Sequence, residues 1–220
     1  MNEDEKRIIK SLNKLAVQTR FISLYENRIY INNLKFSKFS RGKEEEFHRE
    51  YPDIKVIRST LFQKICIKVS RTIKNQIKPR TKLYIADDDS MENILLYIVL
   101  EPYRRKYGVE IVETPSDDSI NVDNNCLNDF TLKYMNLMIN GEKIEDELEE
   151  NTIYPLMHIP HQWIADWITS EKIPYKSRKE YDECIEQDMI NFLEEHIPNV
   201  QESIKQSVNY LNEYNQLKEE

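Results

Sequence analysis

Apolar and polar positions are patterned most clearly in the stretch KLYIADDDSMENILLYIVL, from Lys82 to Leu100. A short apolar run is followed by three aspartates and a serine, and then by a nearly unbroken apolar run. This order predicts a strand, a loop and a buried helix, with Ser90 or Asp89 capping the helix. Residues 109–112 predict a second strand. The segment is therefore typical of the βαβ start of an open parallel sheet.

Other periodic patterns predict further elements on both sides of this segment. The N-terminal part predicts a helix over residues 3–20 and a β-hairpin that turns at Glu26 and Asn27. Residues 59–77 predict a helix with an apolar stripe, and Pro79 follows its end. We also expect helices over residues 40–50, 127–139, 179–197 and 200–217, a helix that begins at Pro160, and a short strand over residues 120–122.

The predicted loop carries acidic residues where a nucleotide-binding loop carries glycines and a lysine. Asp87, Asp88 and Asp89 follow the strand, and Glu92 lies one turn into the helix. At an effective dielectric constant of about 20, one carboxylate about 5 Å from a phosphate charge costs roughly 3 kcal/mol. Such a loop opposes ATP binding unless a divalent cation lies between the charges. A simpler interpretation is that the acids only stabilise the positive end of the helix dipole.

Charge is distributed unevenly along the 220 residues, which carry a net charge of −8. Residues 54–85 contain nine basic residues and no acidic one, whereas residues 141–220 contain 19 acidic and 7 basic residues. On the helix predicted for residues 59–77, a basic face lies opposite the apolar stripe. This face is either an RNA-binding surface or an ordinary solvated surface. The candidate RNA-binding residues are Lys64, Lys68, Arg71, Lys74 and Lys78.

The composition argues against several classes of protein. The charged N-terminus lacks the apolar segment of a signal peptide, and no run reaches transmembrane length, so we expect a cytoplasmic protein without a membrane partner. Cys66, Cys126 and Cys184 are far apart and form no CxxC pair, which predicts reduced thiols and no zinc site. His158 and His161 have no third ligand at a useful spacing, so a structural role is favoured over metal binding.

Three blocks follow one another between Ser59 and the C-terminus. They are RTIKNQIKPRTKLYIADDDSMENILLYIVL, YPLMHIPHQWIADWITSEKIPY and DECIEQDMINFLEEHIPNVQESIKQSV. In this order they resemble the ATP pyrophosphatase (PP-loop) proteins that thiolate tRNA uridines or cytidines. DDSMEN, residues 88–93, stands where that family has SGGKDS. The resemblance implies a reduced PP-loop (adenine nucleotide α-hydrolase-like) α/β fold, with a parallel sheet flanked by helices over residues 58–150. An N-terminal helix and hairpin region is expected over residues 1–57, and a C-terminal helical region over residues 151–220.

Compared with the family, the sequence lacks the residues that carry the chemistry. Met91 stands in place of the loop lysine, and two polar residues stand in place of both loop glycines. The catalytic CxxC pair has no counterpart, and Cys184 alone stands at the position of the family's third cysteine, as a candidate residual thiol. DNNCLNDF stands where GHNLDDEA is expected. The degenerate nucleotide loop comprises Asp88, Asp89, Ser90, Met91, Glu92 and Asn93.

A thiolase needs ATP to adenylate a base carbonyl, and a nucleophilic sulfur to displace AMP. Because the chain lacks the means for both steps, the resemblance implies a pseudoenzyme without catalytic residues, cofactor or metal. The expected function is a noncatalytic subunit of a tRNA 2-thiouridine (wobble position) thiolation complex. Its expected partners are tRNA and a catalytic PP-loop thiolase paralogue, as a heterodimer. Two alternatives stay open: a tRNA sulfurtransferase that binds ATP through Mg²⁺ at Asp87–Asp89, and an unrelated RNA-binding adaptor.

Overall fold

A computed structural model describes residues 3–144, 148–176 and 184–219, with side chains described to residue 212. The helices are α1 (Glu3–Lys14), α2 (Leu34–Ser37), α3 (Arg41–His48), α4 (Thr60–Thr72), α5 (Met91–Leu100), α6 (Tyr103–Tyr107), α7 (Leu127–Asn140), α8 (His161–Ser170), α9 (Ile185–His196) and α10 (Val200–Glu219), with a 3₁₀ turn at Thr19–Phe21. The strands are β1 (Ile22–Tyr25), β2 (Arg28–Ile31), β3 (Lys55–Ile57), β4 (Lys82–Tyr84), β5 (Glu110–Val112), β6 (Ser119–Val122) and β7 (Thr152–Ile153).

The strands of the described chain form two sheets. The larger sheet has the order β5-β4-β6-β7, and all of its pairings are parallel. The smaller sheet has the order β1-β2-β3, in which β1 and β2 form the predicted antiparallel hairpin and β3 pairs parallel to β2. The predicted α/β class, with a parallel sheet flanked by helices, is confirmed. Strand β3 was not predicted, because three residues are too few to show an alternating pattern.

Helix α5 lies in the centre of the core, beside the larger sheet. Nine of its residues are buried, as expected for a helix that is apolar on nearly all sides. The predicted apolar stripe of α4 packs into the same core through Phe62, Ile65 and Val69. The helix ends at Thr72 rather than at residue 77, and Asn75 beyond it has a φ of 68°, outside the helical region.

The smaller sheet is attached to the larger unit by an aromatic cluster. Tyr30 of β2 lies 5.4 Å, between ring centroids, from both Phe62 of α4 and Trp167 of α8. Phe62 and Trp167 stack on each other at 4.8 Å. All three rings are buried, whereas Trp163 of α8 is only partly buried. The three rings come one each from the predicted regions 1–57, 58–150 and 151–220. The division of the chain into these regions stays a prediction.

An ion pair between Glu101 and Arg105 also attaches the smaller sheet to the larger unit, through contacts with β1. Glu101 accepts a hydrogen bond from the backbone N–H of Leu24 at 3.0 Å. Arg105 donates to the carbonyl oxygen of Thr19 at 3.0 Å and to that of Ile22 at 2.8 Å, besides binding Glu101. Three backbone groups and two charged side chains are thereby satisfied at one point, where α5 and α6 meet the N-terminal segment.

The C-terminal helices form a smaller core with α7. Val208 of α10 packs there with Phe130 and Tyr134, and the buried Lys205 donates to the hydroxyl oxygen of Tyr134 at 2.6 Å. The predicted helices over residues 127–139 and 200–217 are confirmed. Of the helix predicted over residues 179–197, residues 179–183 lie outside the described part of the chain. Within the described residues, no helix is both long enough and apolar enough to cross a membrane.

Candidate functional site

The loop between β4 and α5 lies at the carboxyl edge of the parallel sheet, where open sheets bind their ligands. Ser90 is the residue that caps α5, as predicted, because its hydroxyl oxygen accepts a hydrogen bond from the N–H of Asn93 at 3.3 Å. Asp89 has a φ of 56°, a backbone conformation that favours glycine. The loop therefore turns as a glycine-containing loop does, but it carries an exposed carboxylate at the turn.

Asp88 occupies two hydrogen-bond donors at the N-terminus of α5. Its Oδ1 atom accepts from the backbone N–H of Ser90 at 2.8 Å and from Nδ2 of Asn93 at 2.8 Å. Burial raises the pKa of Asp88, but the hydrogen bonds from Ser90 and Asn93 outweigh burial and lower the pKa below its ordinary value. The positive end of the helix thus already holds a negative charge that belongs to the chain itself.

Lys176 covers the other side of this loop. Its Nζ atom lies 2.8 Å from Oδ2 of Asp89, and its backbone N–H donates to the carbonyl oxygen of Asp89 at 2.9 Å. The hydrogen bond to Asp89 raises the pKa of the lysine. The segment that follows α8 therefore meets the loop through one backbone and one side-chain contact.

The first turn of α5 faces the protein interior. Met91 lies in the hydrophobic core, and Glu92 is only 1% exposed. Oε1 of Glu92 lies 3.4 Å from Nε2 of His161, whose backbone N–H donates to Oδ1 of Asn128 at 2.8 Å. His161 thereby joins α5, α7 and α8. Among residues 3–144, 148–176 and 184–219, no three His, Cys, Asp or Glu side chains are grouped to hold a metal ion.

A cleft of about 210 Å³ opens beside the loop. Tyr97 of α5 lies on one side and donates to the carbonyl oxygen of Ile85 at 3.2 Å, and Tyr25 reaches the cleft from the hairpin. Burial raises the pKa of both phenols. Sequence reasoning missed Tyr25, because only the docking of the hairpin brings it to the loop. The lining residues are Tyr25, Ala86, Asp87, Asp89, Asn93, Ile94, Tyr97 and Glu113.

A further carboxyl, that of Asp123, follows β6 at the same edge of the sheet. It accepts a hydrogen bond from the backbone N–H of Asn125 at 2.7 Å. Burial raises its pKa, and the negative charge of Glu149 adds to this shift. In the sequence, Asp123 stood out only as the first residue of DNNCLNDF, the block that differs from its counterpart in the resembling family.

The predicted basic face of α4 is exposed except at one position. Lys64 and Arg71 of α4 are exposed, and so are Lys74 and Lys78, which lie beyond the end of the helix at Thr72 rather than on its predicted face. Lys68 is engaged within the molecule: it donates to the carbonyl oxygen of His158 at 3.3 Å and forms an ion pair with Glu202 of α10. Its Nζ atom also lies 5.4 Å from the ring centroid of Trp163. The acidic C-terminal part of the chain therefore meets the basic helix at Lys68.

All three cysteines lie in the described part of the chain, and none of them forms a disulfide. Cys66 is buried in the core, and burial raises its pKa. Cys126 is buried at the start of α7, and Cys184 is partly exposed at the start of α9. None of the three is among the described residues that line the cleft.

Comparisons with known proteins identify a relative in sequence and solved structures of similar fold. No family model matches the chain. A curated protein of Methanocaldococcus jannaschii named "Probable sulfurtransferase" is 30% identical over 102 residues, which make up 46% of this chain and 30% of the relative. The chain thus spans less than a third of the length of that relative. The solved structure of the U34-tRNA thiolase NcsA from Methanococcus maripaludis, with its 4Fe-4S cluster, matches with a TM-score of 0.56 and 14% identity, over 76% of this chain and 83% of NcsA.

The fold of this chain is similar to that of the NcsA structure. Both matched proteins carry names that refer to sulfur transfer. At 14% identity, the structural match supports the architecture, and the loop, thiols and basic face of this chain have to be interpreted on their own geometry.

Proposed function

We propose that this chain is the noncatalytic subunit of a tRNA 2-thiouridine (wobble position) thiolation complex, in which it supports an active PP-loop thiolase and helps to hold tRNA. The shared fold and the two relatives named for sulfur transfer support a place in tRNA thiolation. The absence of catalysis is inferred above all from Asp88. Its carboxylate accepts the hydrogen bonds from Ser90 and Asn93 that a bound phosphate would need.

The energetic cost of placing ATP at this loop supports the same proposal. A phosphate at the N-terminus of α5 would have to displace the Asp88 carboxylate and lie close to the exposed carboxylate of Asp87, which repels it. The charge of Asp89 is compensated by its ion pair with Lys176. Met91 packs into the core and supplies no compensating cation. The cleft of about 210 Å³ is also smaller than the ~300 Å³ at which small-molecule sites usually begin.

The thiols argue against a sulfur-transfer step on this chain. A sulfur nucleophile must be an accessible thiolate. Cys66 and Cys126 are buried in the protein interior. Cys184 is partly exposed, but it is not among the described residues that line the cleft beside the loop. We therefore assign the sulfur chemistry to the partner subunit.

A second candidate function is a sulfurtransferase that binds ATP through a divalent cation. The name of the Methanocaldococcus jannaschii relative favours it, and so do the exposed carboxylates of Asp87, Asp88 and Asp89, since oxygen ligands suit Mg²⁺. The third alternative, an unrelated adaptor, is disfavoured, because the described strands include a four-stranded parallel sheet beside Asp87 and the fold is similar to that of NcsA.

Calorimetry distinguishes the first two functions. ATP and AMP are titrated into the full chain with and without Mg²⁺, and into the Asp87→Asn/Asp89→Asn variant as a control. The proposal expects no binding heat under any condition. Magnesium-dependent binding of ATP that the double substitution removes would establish the second function instead.

Copurification tests the proposed partner. The tagged chain is recovered from extract of the cells that produce it, and the recovered proteins are identified by mass spectrometry. We expect a PP-loop protein with an intact SGGKDS loop, together with tRNA. Repeated recovery of the chain alone would contradict the proposal.

A further inference from the structure

A second cavity, a groove of about 260 Å³, lies between the N-terminal segment and helices α4 and α6. Three cations line it: Arg20 of the 3₁₀ turn, Arg71 of α4 and Lys106 of α6. No carboxylate is among its described lining residues, although the chain carries a net charge of −8. The cavity is therefore locally positive, and its charge favours an anionic ligand.

Exposed aromatic and apolar side chains lie between these cations. Phe36 is 53% exposed, and its ring centroid lies 5.4 Å from that of Phe21, with an angle of 33° between the planes. Ile67 of α4 is also exposed and lines the same groove. An aromatic ring that solvent can reach, surrounded by cations, is the combination that single-stranded nucleic-acid sites use to stack bases and bind the backbone.

The groove lies apart from the acidic cleft. It is lined by Val99 and Pro102 at the C-terminal end of α5, whereas the cleft is lined by Asn93 at the N-terminal end. A helix of this length separates its two ends by about 15 Å. At about 260 Å³, just under the usual ~300 Å³ of small-molecule sites, the groove suits one base rather than a complete cofactor.

We infer that this groove binds one unpaired nucleotide of an RNA strand, with its base against Phe36 and its flanking phosphates against Arg20, Arg71 and Lys106. Arg71 also belongs to the exposed basic face of α4, so a longer strand would continue from the groove along that face. This continuity favours a polynucleotide over a free nucleotide. The inference rests on the RNA-binding part of the proposed function and names the part of the RNA that is bound.

The test uses the full chain and a fluorescein-labelled single-stranded RNA of about nine nucleotides, which is within the usual footprint of a single-strand site. Affinity is measured by fluorescence anisotropy over a range of salt concentrations and compared with that of a duplex of the same length. We expect Phe36→Ala to weaken single-strand binding about tenfold without changing the salt dependence. Arg20→Gln and Lys106→Gln should each reduce the slope of log affinity against log salt by about 0.7.

Two matched controls lie elsewhere on the molecule. Phe192→Ala removes an aromatic side chain that is 63% exposed on α9, and Lys133→Gln removes an exposed cation on α7. Neither should change single-strand affinity or its salt dependence. Because Phe36 is more than half exposed, its replacement should leave the fold intact, which circular dichroism checks.

The inference is overturned if Phe36→Ala binds the single strand as tightly as the unchanged protein, or if the duplex binds as tightly as the single strand. It is also overturned if Phe36→Ala leaves RNA affinity unchanged and releases a copurifying protein, because the groove is then a protein interface. If no thiolase copurifies with the chain but Phe36→Ala still weakens RNA binding, the proposed function is rejected and the inferred nucleotide site stands. If a thiolase copurifies but the Phe36→Ala variant binds tRNA as tightly as the unchanged protein, the proposed function stands and the inferred nucleotide site is rejected.

Discussion

Helix α5 has Asp87, Asp88 and Asp89 before its N-terminal end, whereas Arg20, Arg71 and Lys106 surround the groove near its C-terminal end. By itself the backbone dipole makes the N-terminal end of a helix positive and its C-terminal end negative, so an anionic ligand would be attracted to the N-terminal end. In this protein the Asp88 carboxylate compensates the positive charge of the N-terminal end, and the cations of neighbouring segments make the surroundings of the C-terminal end positive. The comparison shows that a helix N-terminus only offers an anion site, and that side chains decide whether it is available.

The largest effect is expected from breaking the ion pair beside the groove. Arg105→Ala leaves Glu101 buried without its charge partner and removes two hydrogen bonds to the N-terminal segment. We expect the free energy of unfolding to fall by about 3–5 kcal/mol, measured by urea denaturation. The neighbouring Arg104→Ala should change it by no more than about 0.5 kcal/mol. Equal effects of both substitutions would show that Arg105 does not hold the groove together.

Charge reversal of the exposed basic residues on α4 and in the segment after it tests whether this surface binds RNA. Replacing Lys64, Arg71, Lys74 and Lys78 together by Glu should weaken tRNA binding at least about a hundredfold at moderate salt, because phosphate contacts become repulsions. Lys68→Gln is the internal control, since Lys68 is engaged with Glu202. It should have a smaller effect than any of the four single reversals. Unchanged affinity of the fourfold variant would leave α4 as a solvated surface.

The smallest effect concerns acid stability at the N-terminal end of α5. Because folding lowers the pKa of Asp88, its stabilising contribution is complete above the unfolded-state pKa of about 3.9 and is lost as the pH falls through the lowered folded-state pKa. Asp88→Asn should therefore flatten the decrease in unfolding free energy between about pH 5 and pH 3. Asp117→Asn, at an exposed loop position, is the control. An unaltered pH profile for Asp88→Asn would show that the carboxylate contributes nothing as an anion.

Much of the scaffold was predictable because its signals are local. The order of β4, loop and α5 followed from the apolar runs around Asp87–Asp89, and Ser90 was foreseen as a cap from its position before the helix. The stripe of α4 followed from its periodicity, although its predicted end at residue 77 ignored the left-handed turn at Asn75. The site was predictable as an acidic loop, but not as one whose own carboxylate fills the helix terminus.

The sequence by itself determined that a strand, an acidic loop and a buried helix follow one another, since spacing and residue type act over a few positions. Only the tertiary structure decided which cations are available to a ligand. Lys68 is engaged by Glu202, 134 residues away, and Arg20, Arg71 and Lys106 meet at one groove only because the hairpin docks on α5 and α6. Contacts between distant segments depend on how complete surfaces pack, and no local pattern encodes them.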